Sequence, residues 1–208
     1  MCLNSATMSA TRLICNIFEL AKTISTSFHI SAISPTPKRL IRWNSNNQSC
    51  TILNVDGSCL GDPIRTGFGG VFRYSSGIYL SGFSGFINNS QDILFPELTT
   101  LHQGLILAIS LNCGDLACSS DSLLTVNLIK DELPRYHVYV VLIQNIKDLM
   151  NSTSVSLHHS LREGNQCANF MAKFGASNDI ALYIHSSPPN GLLPLLRMDE
   201  LGTLFVRH

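Results

Sequence analysis

Charge is what this chain of 208 residues has least of: 13% of it is Asp, Glu, Lys or Arg, and 14 cationic side chains balance 14 anionic ones. That neutrality excludes a polybasic arm gripping a nucleic-acid backbone by charge alone, so such binding must rely on a metal ion and on local donors. No apolar run reaches the roughly 18 residues that a membrane span needs, and no membrane partner is expected. The seven cysteines (Cys2, Cys15, Cys50, Cys59, Cys113, Cys118, Cys167) are odd in number and form no CxxC pair. Disulfide-scaffold and zinc readings are therefore poor. Reduced, mostly buried thiols in a cell interior fit better, with nucleus or cytoplasm as the expected compartment. What the chain does have is 45% apolar residues, enough to bury the core of one domain with a tail.

The first 40 residues differ from the rest. They hold one acid, Glu19, are rich in Ser and Thr, carry a short amphipathic stretch around Leu13 to Ile24, and end in Ser34-Pro35-Thr36-Pro37. An organellar transit peptide and a disordered leader or remnant of an upstream domain both fit this composition. The leader is preferred, since only Arg12 and Lys22 are basic before Lys38. The folded domain is then expected over 41–208.

Within that domain the pattern runs from strands to helices. Thr51 to Asp56 reads as a strand, and Gly67 to Tyr74 and Ile78 to Phe86 follow around the turn Ser75-Ser76-Gly77, which predicts an antiparallel meander. From Pro96 to Asn112, Leu98, Leu101, Leu105, Ala108 and Ile109 share a helix face, with Gly114 past its end. Leu116 to Ser120 reads as a strand, Leu123 to Ile129 as a helix capped by Ser122, and Val138 to Met150 as another helix. Val155, Leu157, His159 and Leu161 alternate with polar residues, the period of a half-buried strand. Gly164 to Phe174 reads as a last helix stopped by Gly175. These elements predict an α/β fold, a mixed five-stranded sheet with helices on both faces.

Three stretches place one acid each at the end of a predicted strand or the start of a predicted helix: Asn54-Val55-Asp56-Gly57-Ser58, Phe95-Pro96-Glu97-Leu98 and Ser119-Ser120-Asp121-Ser122-Leu123. Taken singly, each acid has another home: Asp56 in a turn, Asp121 as a helix N-cap, Glu97 as a partner of the helix dipole. Together they point to a metal site, because carboxylates desolvated side by side repel one another unless a cation such as Mg²⁺ lies between them.

The order of these motifs, followed by Arg162-Glu163-Gly164-Asn165-Gln166-Cys167-Ala168, resembles the plant ribonuclease H-like domain. That domain is a relative of type 1 ribonuclease H found in retrotransposon-derived proteins. Trp43-Asn44, Gly67-Phe68-Gly69-Gly70-Val71, Ser81-Gly82-Phe83-Ser84-Gly85 and the tail from Pro188-Pro189 to Arg207 extend the likeness over residues 39 to 208. The resemblance implies a ribonuclease H-like fold and a monomeric endonuclease that cuts the RNA strand of an RNA/DNA hybrid with two Mg²⁺ ions, Mn²⁺ being an alternative. It makes Asp56, Glu97, Asp121 and His159 catalytic. Asp56 would bridge both ions, with Glu97 and Asp121 completing the first, and His159 would move protons or release product unless it is a satisfied core histidine. The 2′-hydroxyls that mark RNA would be read by backbone N–H groups of Gly57, Ser58 and Cys59, with Ser122, Asn165 and Asn88 or Asn89 as further donors. Asn165 and Arg162 could instead cap the last helix. Where the family pattern has a fourth acid this chain has Asn169, an amide that can still ligate a hard ion but gives up the charge that holds the second. A domain retaining fold and weak nucleic-acid binding with impaired catalysis is the alternative reading. Pro96 before Glu97 is a smaller departure, acceptable in a first helical turn.

Overall fold

The computed structural model describes residues 39–43, 50–88, 90–132 and 136–207, all within the unit Arg39–His208. The amphipathic stretch and proline linker of the leader lie outside the described residues, as do Asn44 and Asn89.

Strand β1 (Arg39–Ile41) is followed by the meander β2 (Thr51–Leu60), β3 (Arg65–Arg73) and β4 (Tyr79–Ile87). Helix α1 (Leu94–Ser110), strand β5 (Leu116–Ser120), helices α2 (Leu123–Lys130) and α3 (Val140–Asn151) and strand β6 (Val155–His159) come next. A short 3₁₀ turn leads into α4 (Gln166–Ala176), and the chain closes with β7 (Tyr183–His185), α5 (Leu193–Glu200) and β8 (Phe205–Arg207).

The main sheet has the order β6-β5-β2-β3-β4-β7. The β2-β3-β4 part is antiparallel, and β5 and β6 run parallel to β2. The five expected strands are thus joined by a sixth, β7, whose three residues are too few to show an alternation. Strands β1 and β8 pair separately, Arg39 opposite Arg207.

Alternation along the central strands sorts the side chains to two faces. On one, Leu53, Val55, Phe68, Phe72 and Phe83 pack with Leu98, Leu101 and Leu105 of α1 and with Ile143 and Ile146 of α3. On the other, Val71 packs with Cys167 and Met171 of α4 and with Leu192 and Leu196 near and within α5. Ile109 departs from the expected stripe and is 44% exposed; the residues that reach the sheet step through Leu98, Leu101, Leu105 and Ala108. The left-handed residue after α1 is Asn112, φ 50°, rather than Gly114.

Two expected boundaries shift for a physical reason. Strand β2 continues through Gly57, Ser58 and Cys59, because its ladder to β3 persists to Leu60 opposite Arg65. Helix α4 runs through Gly175 instead of stopping there. A Cβ at Gly175 would lie 2.4 Å from the Gly85 carbonyl oxygen, and one at Gly69 would lie 2.5 Å from the Met171 carbonyl carbon. These glycines are close-approach positions that let α4 lie directly on the backbones of β3 and β4.

A buried charge network fastens α5 to this face. Arg73, with no exposed surface, donates to Asp199 at 2.6 Å and to the Asn54 side-chain oxygen at 2.7 Å. The Trp43 ring stacks on its guanidinium, 4.1 Å from the ring centroid, and Trp43 also donates to Asn54. The Cys167 thiol donates to the same Asp199 oxygen at 3.2 Å. Removing one partner of such a pair strands the other charge, so Asp199→Ala is expected to cost about 3–5 kcal/mol. Adding Arg73→Met to it should restore much of that loss. Urea-unfolding midpoints of the single and double variants test this, and a single variant as stable as the parent would contradict it.

Candidate metal centre

Three separate elements deliver the acids. Asp56 lies on β2 opposite Gly69, one residue past Val55, where the parallel ladder to β5 ends at Ser120. Asp121 follows β5 directly. Glu97 is in the first turn of α1, and Gly57 is what allows that turn to reach the strand, since a Cβ there would be 2.7 Å from the Glu97 nitrogen and 2.8 Å from the Pro96 carbonyl carbon. Pro96 lies within the same turn, where a backbone N–H would have no intrahelical partner, and so leaves Glu97 in place. The outcome is a cluster in which Asp56, Glu97 and Asp121 each offer an oxygen, all within 4.8 Å of one another.

Two of the single-acid alternatives fall away. Asp56 is in a paired strand, 4% exposed, and not in a turn. The N-cap of α2 is Ser122, whose hydroxyl accepts from the Thr125 N–H at 3.3 Å. Glu97 does stand in the first turn of α1, where the helix dipole favours its charge, but it is buried and shares its cluster with the other two acids.

Burial and the neighbouring carboxylates make Asp56 and Glu97 hard to ionise. Asp56 is pushed up to about 9, first by desolvation, then by the charges of Asp121 and Glu97; a hydrogen bond from the Gly57 backbone opposes the shift. Glu97 is pushed up to about 8 by desolvation and by Asp121, again opposed by the Gly57 backbone. The buried Glu97 Oε2 has no hydrogen-bond partner among the described residues. An all-oxygen donor set, an orphaned buried acceptor and excess negative charge fit a hard divalent cation.

The remaining candidates are placed as follows. Asn165 is 1% exposed, and its amide donates to the Val55 carbonyl at 2.9 Å and to Asp121 Oδ1 at 3.1 Å. It makes no side-chain cap at the start of α4, and acts instead as a brace between β2 and Asp121. Asn169 lines the same cavity as the acids, a volume of about 380 Å³ that Gly57, Ser58, Cys59 and Ser122 also border. Beyond Val55 the β2 edge away from β3 has no strand partner among the described residues, and Asp56 to Leu60 border the cavity. Gly57 N–H is engaged by the carboxylates, Cys59 Sγ lies 3.3 Å from the Thr66 hydroxyl, and Ser122 is committed to its cap. Asn88 is exposed in the turn after β4. His159 is exposed at the end of β6 and lines a different, smaller depression with Arg42, Trp43 and Asn54; it is not a core histidine. Lys173, which sequence reasoning passed over, borders the acid cavity together with Arg162. Its position two turns along α4 from Asn165 was the available signal.

Residues 54–175 match the family described as reverse transcriptase-like. The chain belongs to that family. It carries a ribonuclease H-like domain, with the expected fold. An Arabidopsis thaliana protein named "putative ribonuclease H protein" is 26% identical over 175 residues, which cover 84% of this chain and 28% of that protein. The chain thus spans little more than a quarter of the relative's length. The N-terminal RNase H domain of a Mycobacterium tuberculosis protein matches with a TM-score of 0.56 at 20% identity, over 62% of this chain and 95% of that one. LC11-RNase H1, from compost, solved in complex with an RNA/DNA hybrid, matches with a TM-score of 0.54 at 19% identity, over 61% of this chain and 96% of that one. No helix among the described residues is long and apolar enough to cross a membrane.

The raised carboxyl pKa values fix a sign for the pH dependence of stability. Between the ordinary carboxyl range and about 8 to 9, the folded metal-free domain keeps protons that the unfolded chain has released. Its stability therefore falls as pH rises through that window. Melting temperature in EDTA should decline from pH 5 to pH 9, and Asp56→Asn should flatten the decline. A divalent cation held by the deprotonated carboxylates would raise the melting temperature most at the alkaline end. A melting temperature that rises with pH in EDTA would contradict this.

Proposed function

We propose that this domain is a metal-dependent endonuclease that cleaves the RNA strand of RNA/DNA hybrids. The observation that carries the reading is the convergence of Asp56, Glu97 and Asp121 from three elements around a buried, unpartnered Glu97 oxygen. The likeness to a fold solved with an RNA/DNA hybrid supports the substrate class. Mg²⁺, with Mn²⁺ as the substitute, is the proposed ion; when bound it would activate a water and steady the leaving oxygen of an in-line phosphoryl displacement. Asp56, innermost of the three, would hold it with Glu97 and Asp121. Asn165 fixes Asp121 by the hydrogen bond described above, and the free edge of β2 at Ser58 and Cys59 offers backbone groups to the sugar hydroxyls of the RNA strand. His159, exposed and clear of the acid cavity, serves product release in this reading. The proposed functional unit is residues 41–208 together with Arg39 and Leu40, which pair with β8, a monomer derived from a plant retroelement.

A second reading, impaired turnover with the fold and weak nucleic-acid binding kept, is favoured by one observation: neither residue of α4 that borders the acid cavity is an acid, Asn169 being a neutral amide and Lys173 a cation. A hybrid-cleavage assay with Mg²⁺ and with Mn²⁺ separates the two. Asp56→Asn is expected to abolish cleavage, by at least about a thousandfold, since an innermost ligand loses its charge. Asn169→Asp is expected to lower the Mg²⁺ concentration needed for cleavage, or to reveal cleavage where the parent shows none, while slightly lowering the melting temperature without metal. Mg²⁺-dependent cleavage that survives Asp56→Asn would place the active site elsewhere.

A further inference from the structure

Arg162, Asn169 and Lys173 border the same cavity as Asp56, Glu97 and Asp121. Asn169 and Lys173 are one turn apart on one face of α4. The same three residues also border a second depression of about 440 Å³ that continues past Glu163 and Gln166 to Phe170 and Leu195. The two cations therefore stand on the ridge between the acids and this extension. Among the described residues the ion pairs are Arg65–Asp179 and Arg73–Asp199; Arg162 and Lys173 belong to neither. Their charge is uncommitted, on a chain whose net charge is zero.

A second divalent ion needs negative charge on the α4 side of the cluster. This chain offers a neutral amide there with an ammonium one turn away. Resting on the reading of Asp56, Glu97 and Asp121 as ligands, we propose that the domain holds a single divalent ion and that Lys173, seconded by Arg162, neutralises the scissile phosphate in place of a second one. An ammonium is a compact point charge suited to a phosphate oxygen, and a fixed cation at that position opposes a further metal ion.

Manganese counting by electron paramagnetic resonance, on the full chain without nucleic acid, tests this apart from activity. The parent should take up one Mn²⁺ per chain. Lys173→Gln, at an exposed position where folding is not at risk, should tighten that Mn²⁺ by about three- to tenfold by removing a neighbouring positive charge. The same variant should weaken hybrid binding in EDTA and lower its salt slope by about one. Asn169→Asp combined with Lys173→Gln should raise the count to two. Two Mn²⁺ of similar affinity in the parent, or a Lys173→Gln variant with unchanged Mn²⁺ affinity and unchanged hybrid binding, would overturn the proposal. A parent that binds no Mn²⁺ would overturn the ligand reading itself, and this one with it.

Discussion

Helix α4 rests on β3 at backbone distance, and the arrangement of the site follows from that contact. Gly69 is both the residue opposite Asp56 and a residue on which α4 lies. A side chain there would lift the helix by the thickness of a methyl group or more. Asn165 could then no longer span from the Val55 carbonyl to Asp121, and Asn169 would leave the cavity. The glycines of β3 thus set how far the amide face of α4 stands from the acids, while Gly57 does the same for the first turn of α1. Two helices on opposite faces of one sheet are brought to a single edge by residues that have no side chain.

The price of that geometry is electrostatic. Packing drives the carboxyl groups of Asp56 and Glu97 into a space where burial, and then the charge of Asp121, disfavours their ionisation. The apolar layers on both faces, from Leu53 and Phe83 to Met171 and Leu196, supply the stability against which this repulsion is held. A site kept poor in hydrogen bonds is receptive to a cation, which is why the unpartnered Glu97 oxygen says more than the count of acids does.

Much of this was legible in the chain. The acids stood out because each follows or opens a strongly patterned element, and the meander was marked by alternation and a glycine turn. Where reading failed, the deciding partner was remote in sequence. Gly175 looks like a helix stop until Gly85 is seen against it. Asn165 looks like a cap until its amide is found buried on Val55. Arg73, next to a hairpin turn, carries no local signal of its role, and nothing nearby in sequence announces that Asp199, Asn54 and Trp43 enclose it. Strand β7 and the β1-β8 pair are too short for a period to register.

The ion pair of Arg73 and Asp199 joins residues 126 positions apart, and β1 finds β8 across a still longer span. During synthesis the guanidinium under Trp43 therefore has no counter-charge until nearly the whole domain has left the ribosome. The meander can form early, but the face that carries α4 cannot close over an unpaired buried cation. Assembly of the acid cluster, which depends on α4 being seated, is in this way delayed until translation of the domain is almost finished.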